Sequence, residues 1–368
     1  MSAAVAGDVV VRALRAPEAL PGWTAAQWDL LVRQARSAGL LARVAERLQG
    51  LGLTDAVPPA PAAHLLAAQT VATAQHTEVR REIAFVQHAL RDETGPLVLL
   101  KGAAYLMAGL PAAAGRVFSD TDILVPKARL PSIEAALLMH GWATTHHTPY
   151  DQRYYREWMH ELPPLVHLRR QTALDVHHAI SPLTARIRTD SARLLAAAVP
   201  IPGQPGLAML APPDMVLHSM LHLLVNDELS HALRDLSDLD LLLRHFGADA
   251  AFWPLITGRA AELGLGRVLH YGLRFVSRVF ATPVPPAALQ ACAAFAPAAP
   301  TAALMDALWR RALVPPHHSV VGASNRVALF MLYLRAHWLK MPSGLLLRHL
   351  AVKALRRREP DPNPQTQR

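Results

Sequence analysis

The chain has 368 residues, a hydrophobic fraction of 52% and a formal net charge of +9, from 37 basic and 28 acidic side chains. That length exceeds the usual single domain, so two or three regions are expected, and the Ala- and Leu-rich composition favours helices. The single cysteine, Cys292, excludes an intramolecular disulfide framework and a cysteine-rich zinc site, and fits a reducing, cytoplasmic compartment. The positive balance suits polyanionic partners such as nucleotides, nucleic acid or anionic surfaces, although several arginines stand singly on helix faces.

Met1 to Val11 carries Asp8 and lacks the basic-then-apolar order of a secretory signal. Two short helical patterns follow, Trp23 to Ser37 and Leu40 to Leu48, divided at Ala38-Gly39. After the break at Pro58 to Pro61, a long helix is expected from Ala63 to Arg91, with Leu66, Val71, Ile83, Val86 and Leu90 recurring near helical spacing. Asp92 to Pro96 ends it.

The character then changes. Leu97 to Leu100 reads as a short buried strand, followed by Lys101-Gly102 and a helical segment to Leu110. Pro111 to Arg116 is a loop, and Asp122 to Val125 is a second buried strand closed by Pro126. A helix from Leu130 to His140 stops at Gly141, and Trp142 to Thr145 is a further strand. Leu165 to Leu168 and Leu174 to His177 read as a hairpin across Arg169 to Thr172. A Pro/Gly-rich boundary at Pro200 to Pro213 precedes helices over 214–225, 228–246, 251–263, 265–280, 301–312 and 325–338. The apolar run Val327 to Leu334 is cut by Arg335, far short of a membrane span. Arg356 to Arg368 has the composition of a disordered tail.

The expected class is therefore α+β, a small mixed β-sheet with helices on it, flanked by N-terminal and C-terminal helical regions. The expected divisions are 1–94 (helical), 95–200 (sheet core), 201–352 (helical) and 353–368 (basic tail).

Chemistry concentrates at Ser119-Asp120-Thr121-Asp122. Side chains alternate along a strand, so Asp120 and Asp122 share a face. Two carboxylates so close repel unless a cation lies between them, and Mg2+ is the natural hard-cation occupant, with Mn2+ the alternative. Asp175 sits in an apolar strand where an unpartnered charge is costly, with Arg169 or Arg170 its nearest structural partners. If its strand lies beside the Asp122 strand, three carboxylates converge, enough for two ions about 3.5–4 Å apart. Lys101-Gly102 at a strand-to-helix junction offers charge and backbone N–H groups to a phosphate, and Ser119 a hydroxyl.

The order of these motifs, Leu100-Lys101-Gly102, Arg116, Asp120 to Val125, then Leu174-Asp175-Val176-His177, resembles the polymerase β-like nucleotidyltransferase superfamily. Within it the chain is similar to a bacterial group of uncharacterised nucleotidyltransferases over most of residues 60–250. The resemblance implies that Asp120 and Asp122 ligate Mg2+ and that Asp175 is the third ligand, helping to deprotonate an acceptor hydroxyl. Lys101, Gly102, Arg116, Ser119 and His177 are the corresponding nucleotide contacts. One departure stands out: the superfamily's Gly-Ser or Gly-Gly phosphate loop is Lys101-Gly102 in this chain.

The expected reaction is transfer of a nucleoside monophosphate from an NTP, ATP first among them, to a hydroxyl on a small molecule, a protein or an RNA end. Two alternatives stand beside it. A glycosyltransferase also holds its nucleotide sugar through Asp-x-Asp, but needs a larger α/β half before the motif. A degenerate domain would bind nucleotide or a partner without turnover.

Other groupings have plainer readings. His218 and His222 are spaced for one helix face and for zinc, but no third ligand stands at short spacing, so packing or the cleft wall is expected. Arg234 and Asp238 form an i,i+4 pair. Tyr150, Tyr154, Tyr155 and Trp158, interleaved with Arg153 and Arg156, suit base stacking or core packing, and His160-Glu161 precedes the hairpin where it can line the pocket. Cys292 reads as a small core residue.

Overall fold

Residues 9–144 and 148–344 are described by the structure, a computed structural model. Thr145 and the basic tail therefore lie outside the described residues. Four helices come first: α1 (Val9–Arg15), α2 (Ala25–Ser37), α3 (Leu41–Gly50) and α4 (Pro59–Ala89). Thr24 and Gln27 close a capping box at the start of α2, and Gly39, at φ +65°, turns the chain from α2 into α3.

The long helix α4 buries Leu65, Ala72, Val79, Ile83 and Val86. The expected Leu66 and Val71 are 66% and 55% exposed instead. Leu65, Ala72, Val79 and Val86 are seven residues apart, two helical turns each, so they hold one stripe; Leu66 and Val71 fall beside it.

The sheet has seven strands: β1 (Leu97–Leu99), β2 (Thr121–Leu124), β3 (Trp142–Thr144), β4 (Leu165–His167), β5 (Ala173–His177), β6 (Val199–Pro200) and β7 (Leu207–Met209). Its order is β3-β4-β5-β2-β1-β7-β6. The β1–β7 and β2–β5 pairs are parallel and the other four antiparallel. The expected hairpin is β4–β5, with Val166 opposite Ala173. The segment read from sequence as a Pro/Gly boundary holds β7 and the end of β6, the last two strands at one side of the sheet, each too short for alternation to show.

Helices α5 (Lys101–Met107), α6 (Leu130–Met139), α7 (Pro149–Arg153) and α8 (Ser191–Ala196) connect the strands. The C-terminal part is helical: α9 (Pro212–Val225), α10 (Ala232–Phe246), α11 (Phe252–Glu262), α12 (Gly266–Phe280), α13 (Pro286–Ala293), α14 (Ala299–Ala312) and α15 (Ala323–Lys340). The class is α+β, as the sequence implied. One buried apolar cluster runs from Val9 through the sheet to Leu339. Among the described residues no helix is long and apolar enough to cross a membrane. Every regular element described before β1 is helical.

Candidate active site

All four residues of β2 are buried, Asp122 at 4% exposure. A carboxylate in such a strand has to be paired. Strand β5 lies parallel to β2 with Asp122 opposite Asp175 and Leu124 opposite His177. Because side chains alternate along both strands, Asp122, Asp175 and His177 emerge on one face. Each offers a ligand atom, all within 4.8 Å of one another. Asp120 precedes the strand, accepts a hydrogen bond from Ser119 Oγ at 3.1 Å, and lies outside that cluster, on the wall of the adjoining cleft.

Asp122 has two basic partners. Lys101 Nζ donates to its Oδ1 at 2.9 Å, and His177 Nε2 is hydrogen-bonded to the same oxygen at 2.9 Å. Burial alone would raise the Asp122 carboxyl, but Lys101 and His177 overcome it and hold it well below the usual carboxylate range. Asp175 has less help: burial, the Asp122 charge and Glu161 outweigh a smaller opposing pull from His177 and push it up to about 7. Neither Arg169 nor Arg170 neutralises it across the hairpin turn; Arg170 forms a bidentate pair with Glu82 of α4. Burial and Asp122 also raise Asp120.

Lys101 reaches Asp122 from an unusual backbone conformation, φ +45° at the first residue of α5. A non-glycine residue there is strained by about 1–3 kcal/mol, and such strain gathers at functional sites. The neighbouring Gly102 lines the cleft and is also packed closely against the protein's own side chains. A Cβ there would stand 2.4 Å from the Arg116 guanidinium and 2.8 Å from the Phe118 ring, so the glycine makes room for the protein's own arginine.

Arg116 is buried and its Nε donates to Asp238 Oδ2 at 2.9 Å. The other Asp238 oxygen faces Arg43 of α3 at 2.7 Å. Arg43, 2% exposed, also donates to the carbonyls of Ala112 and Ala114 and to Ser237 Oγ. Gly115 permits this: its α-carbon presses onto the α3 backbone, where a Cβ would lie 2.5 Å from Arg43 N. Arg43 thus ties the first helical region to the loop before β2 and to α10. Sequence reading missed it, since one arginine in an amphipathic helix looks like a solvated one. Arg234 pairs with Asp235, through Nε at 3.2 Å and Nη2 at 3.1 Å, in place of the expected Asp238.

These groups wall a cleft of about 270 Å³. Lys101, Asp120 and Asp122 line it from the sheet side, Arg116 from the loop, and His222 and Arg234 from α9 and α10. His218 and His222 remain neutral, His218 pushed down to about 3, chiefly by burial. Neither joins a three-ligand cluster among the described residues.

His177 is buried between Asp122 and Glu161, so it supports the carboxylate without lining the cleft. The aromatic stretch forms a short α7 followed by a π-helical turn, Tyr154–Trp158, with Tyr154 edge-on to Tyr155 and Trp158. Its arginines are paired, Arg153 with Glu157 and Arg156 with Glu134. Cys292 is a buried core residue in α13, its thiol raised to about 11 by burial.

A family model described as an uncharacterised nucleotidyltransferase matches residues 24–281, and the chain belongs to that family. No curated protein and no solved structure matched. The match begins in the helices before the sheet and ends at the close of α12, so it takes in Arg43 and Asp238 as well as the carboxylates.

Proposed function

We propose that this nucleotidyltransferase family member moves a nucleoside monophosphate from an NTP to an acceptor hydroxyl, with Asp122 and Asp175 at the reacting centre. The observation that supports it is the Asp122–Asp175 register across β2 and β5, beside a cleft with basic walls. The donor set fits a divalent cation. Two hard carboxylates stand on one face, and Asp175 is raised to about 7 for want of a counter-charge. Asp122 and Asp175, with Asp120 from the cleft side, would hold Mg2+ or Mn2+, which supplies charge neutralisation for the triphosphate.

The chain's own groups do the remainder. Lys101 and Arg234 bind phosphate oxygens in the cleft, and Arg116 holds its wall against Gly102. Asp175 accepts the proton of the acceptor hydroxyl as that oxygen bonds to the α-phosphorus. The bond from the α-phosphorus to the bridging oxygen breaks, and pyrophosphate leaves with that electron pair. The acceptor is a small molecule, a protein side chain or an RNA end.

The test is incubation of the full chain with Mg2+, each α-labelled NTP and cell extract. Label transfer or pyrophosphate release that disappears in Asp122→Asn and Asp175→Asn is the expected result. Tight NTP binding without turnover, unaffected by Mg2+, would make the protein a nucleotide-binding module instead.

A further inference from the structure

Strand β5 carries a second set of side chains beyond the carboxylates. Residues 160–162 run antiparallel along its end: Leu162 N donates to Val176 O at 2.9 Å, and Glu161 stands opposite His177. The His160 carbonyl accepts from His178 N at 2.8 Å and Ala179 N at 3.2 Å. Pro163 and Pro164, lacking N–H groups, then interrupt the ladder before β4 resumes it. Backbone pairing therefore fixes His160, Glu161 and His177 together.

We propose that His160, Glu161 and His177 form a binding site for a transition-metal ion of the zinc type, distinct from the Asp122–Asp175 carboxylates. One ligand atom from each of the three lies within 4.8 Å of the others. Glu161 Oε2 is 3.2 Å from His177 Nδ1 and 3.9 Å from His160 Nε2. A tetrahedral ion with bonds of about 2.0–2.1 Å places its ligand atoms about 3.3 Å apart, close to the Glu161–His177 separation and a short contraction from the Glu161–His160 one.

Of the three, His160 is the poorly satisfied one: its Nε2 lies 3.9 Å from Glu161, beyond hydrogen-bond reach. His160 Nδ1 is buried and has no hydrogen-bond partner, an expensive state for a polar atom. Asp122, in contrast, is hydrogen-bonded to His177 through Nε2, on the far side of the ring from Glu161. A carboxylate on one imidazole nitrogen fixes the tautomer and leaves the other nitrogen's lone pair directed outward, the outer-shell arrangement of histidine metal ligands. Two imidazoles and one carboxylate are a borderline-soft donor set that favours Zn2+ over Mg2+ and leaves a fourth position open. Neither His160 nor Glu161 takes part in the nucleotidyl transfer described above, so the site stands or falls separately from it.

The full chain, stripped of metal with a chelator, is titrated with Zn2+ by calorimetry and with Co2+ by visible absorption, in excess Mg2+. The expected result is one equivalent of Zn2+ and the intense Co2+ bands of a four- or five-coordinate site. Glu161→Gln and His160→Ala should each weaken binding by more than the ~10–100-fold that loss of an outer-shell partner costs, while Asp175→Asn binds as the parent does. Circular dichroism checks folding, and the near-isosteric Glu161→Gln decides alone if His160→Ala does not fold. Absence of stoichiometric binding overturns the proposal. So does binding that survives both substitutions or is lost equally in Asp175→Asn, because the ion would then sit on the carboxylates.

Discussion

Asp122 and Asp175 occupy the same register position of two parallel strands, yet one carboxyl is held well below the usual range and the other is pushed up to about 7. The difference lies in their neighbours: Asp122 has Lys101 and His177, and Asp175 has Asp122 and Glu161. Asp175→Asn should therefore separate function from stability. It is expected to lower the rate of pyrophosphate release by about 10²–10⁴-fold, the contribution of a positioned base. The same change removes a buried charge beside another charge, and should stabilise the fold by about 1 kcal/mol. Turnover assays and thermal melts on one preparation read both.

Gly102→Ala tests the contact behind the cleft. Its methyl would enter the space of the Arg116 guanidinium and the Phe118 ring, both fixed by packing. The expected cost is about 1–3 kcal/mol in urea unfolding, with weaker NTP binding because Arg116 moves.

Arg43→Ala removes one partner of a buried ion pair and leaves Asp238 with Arg116 as its remaining ion-pair partner and Arg234 farther off. A loss of about 3–5 kcal/mol is expected. Asp238→Ala in the same background should add much less than it costs alone, which a double-mutant cycle by urea unfolding measures.

Ala281 ends α12 in the left-handed region, at φ +53°, and its side chain is exposed. Ala281→Gly relieves that conformation without losing packing. It should stabilise the protein by about 1 kcal/mol and raise the melting temperature without altering nucleotide binding.

Asp306 faces Arg274 and Arg278 at the edge of the helical region. Its hydrogen bond from Arg274, against a smaller effect of burial, lowers the carboxyl to about 2, from 3.8 for the unperturbed group. A depressed folded-state pKa means stability that is fully present above the unfolded value and lost as pH falls toward the folded one. Urea midpoints of the parent and Asp306→Asn should therefore differ at neutral pH and converge between about pH 4 and pH 2.

Much of the architecture was legible from local pattern. Buried strands at residues 97 and 122, the hairpin closing at His177 and the C-terminal helices all announce themselves by apolar runs and punctuation. Shorter elements did not: β7 is held by pairing along β1 and β6 by pairing along β7, rather than by a sequence pattern of their own. Helix α4 was recognised but its stripe misplaced, because several apolar residues compete for one face and only the neighbouring helices choose among them. Glu161 was noted as a possible pocket residue, but nothing local revealed that it stands opposite His177.

The sequence by itself determined the order of the elements and the two strand segments that carry Asp122 and Asp175, because alternation along a strand is a local property of the backbone. The tertiary structure decided what each carboxylate meets. Lys101, His177, Glu161 and Arg43 reach the site through strand register and helix packing across tens of residues, and electrostatic partners at that range leave no period in the chain. So the carboxylates could be found by reading, while the difference between them had to be folded into place.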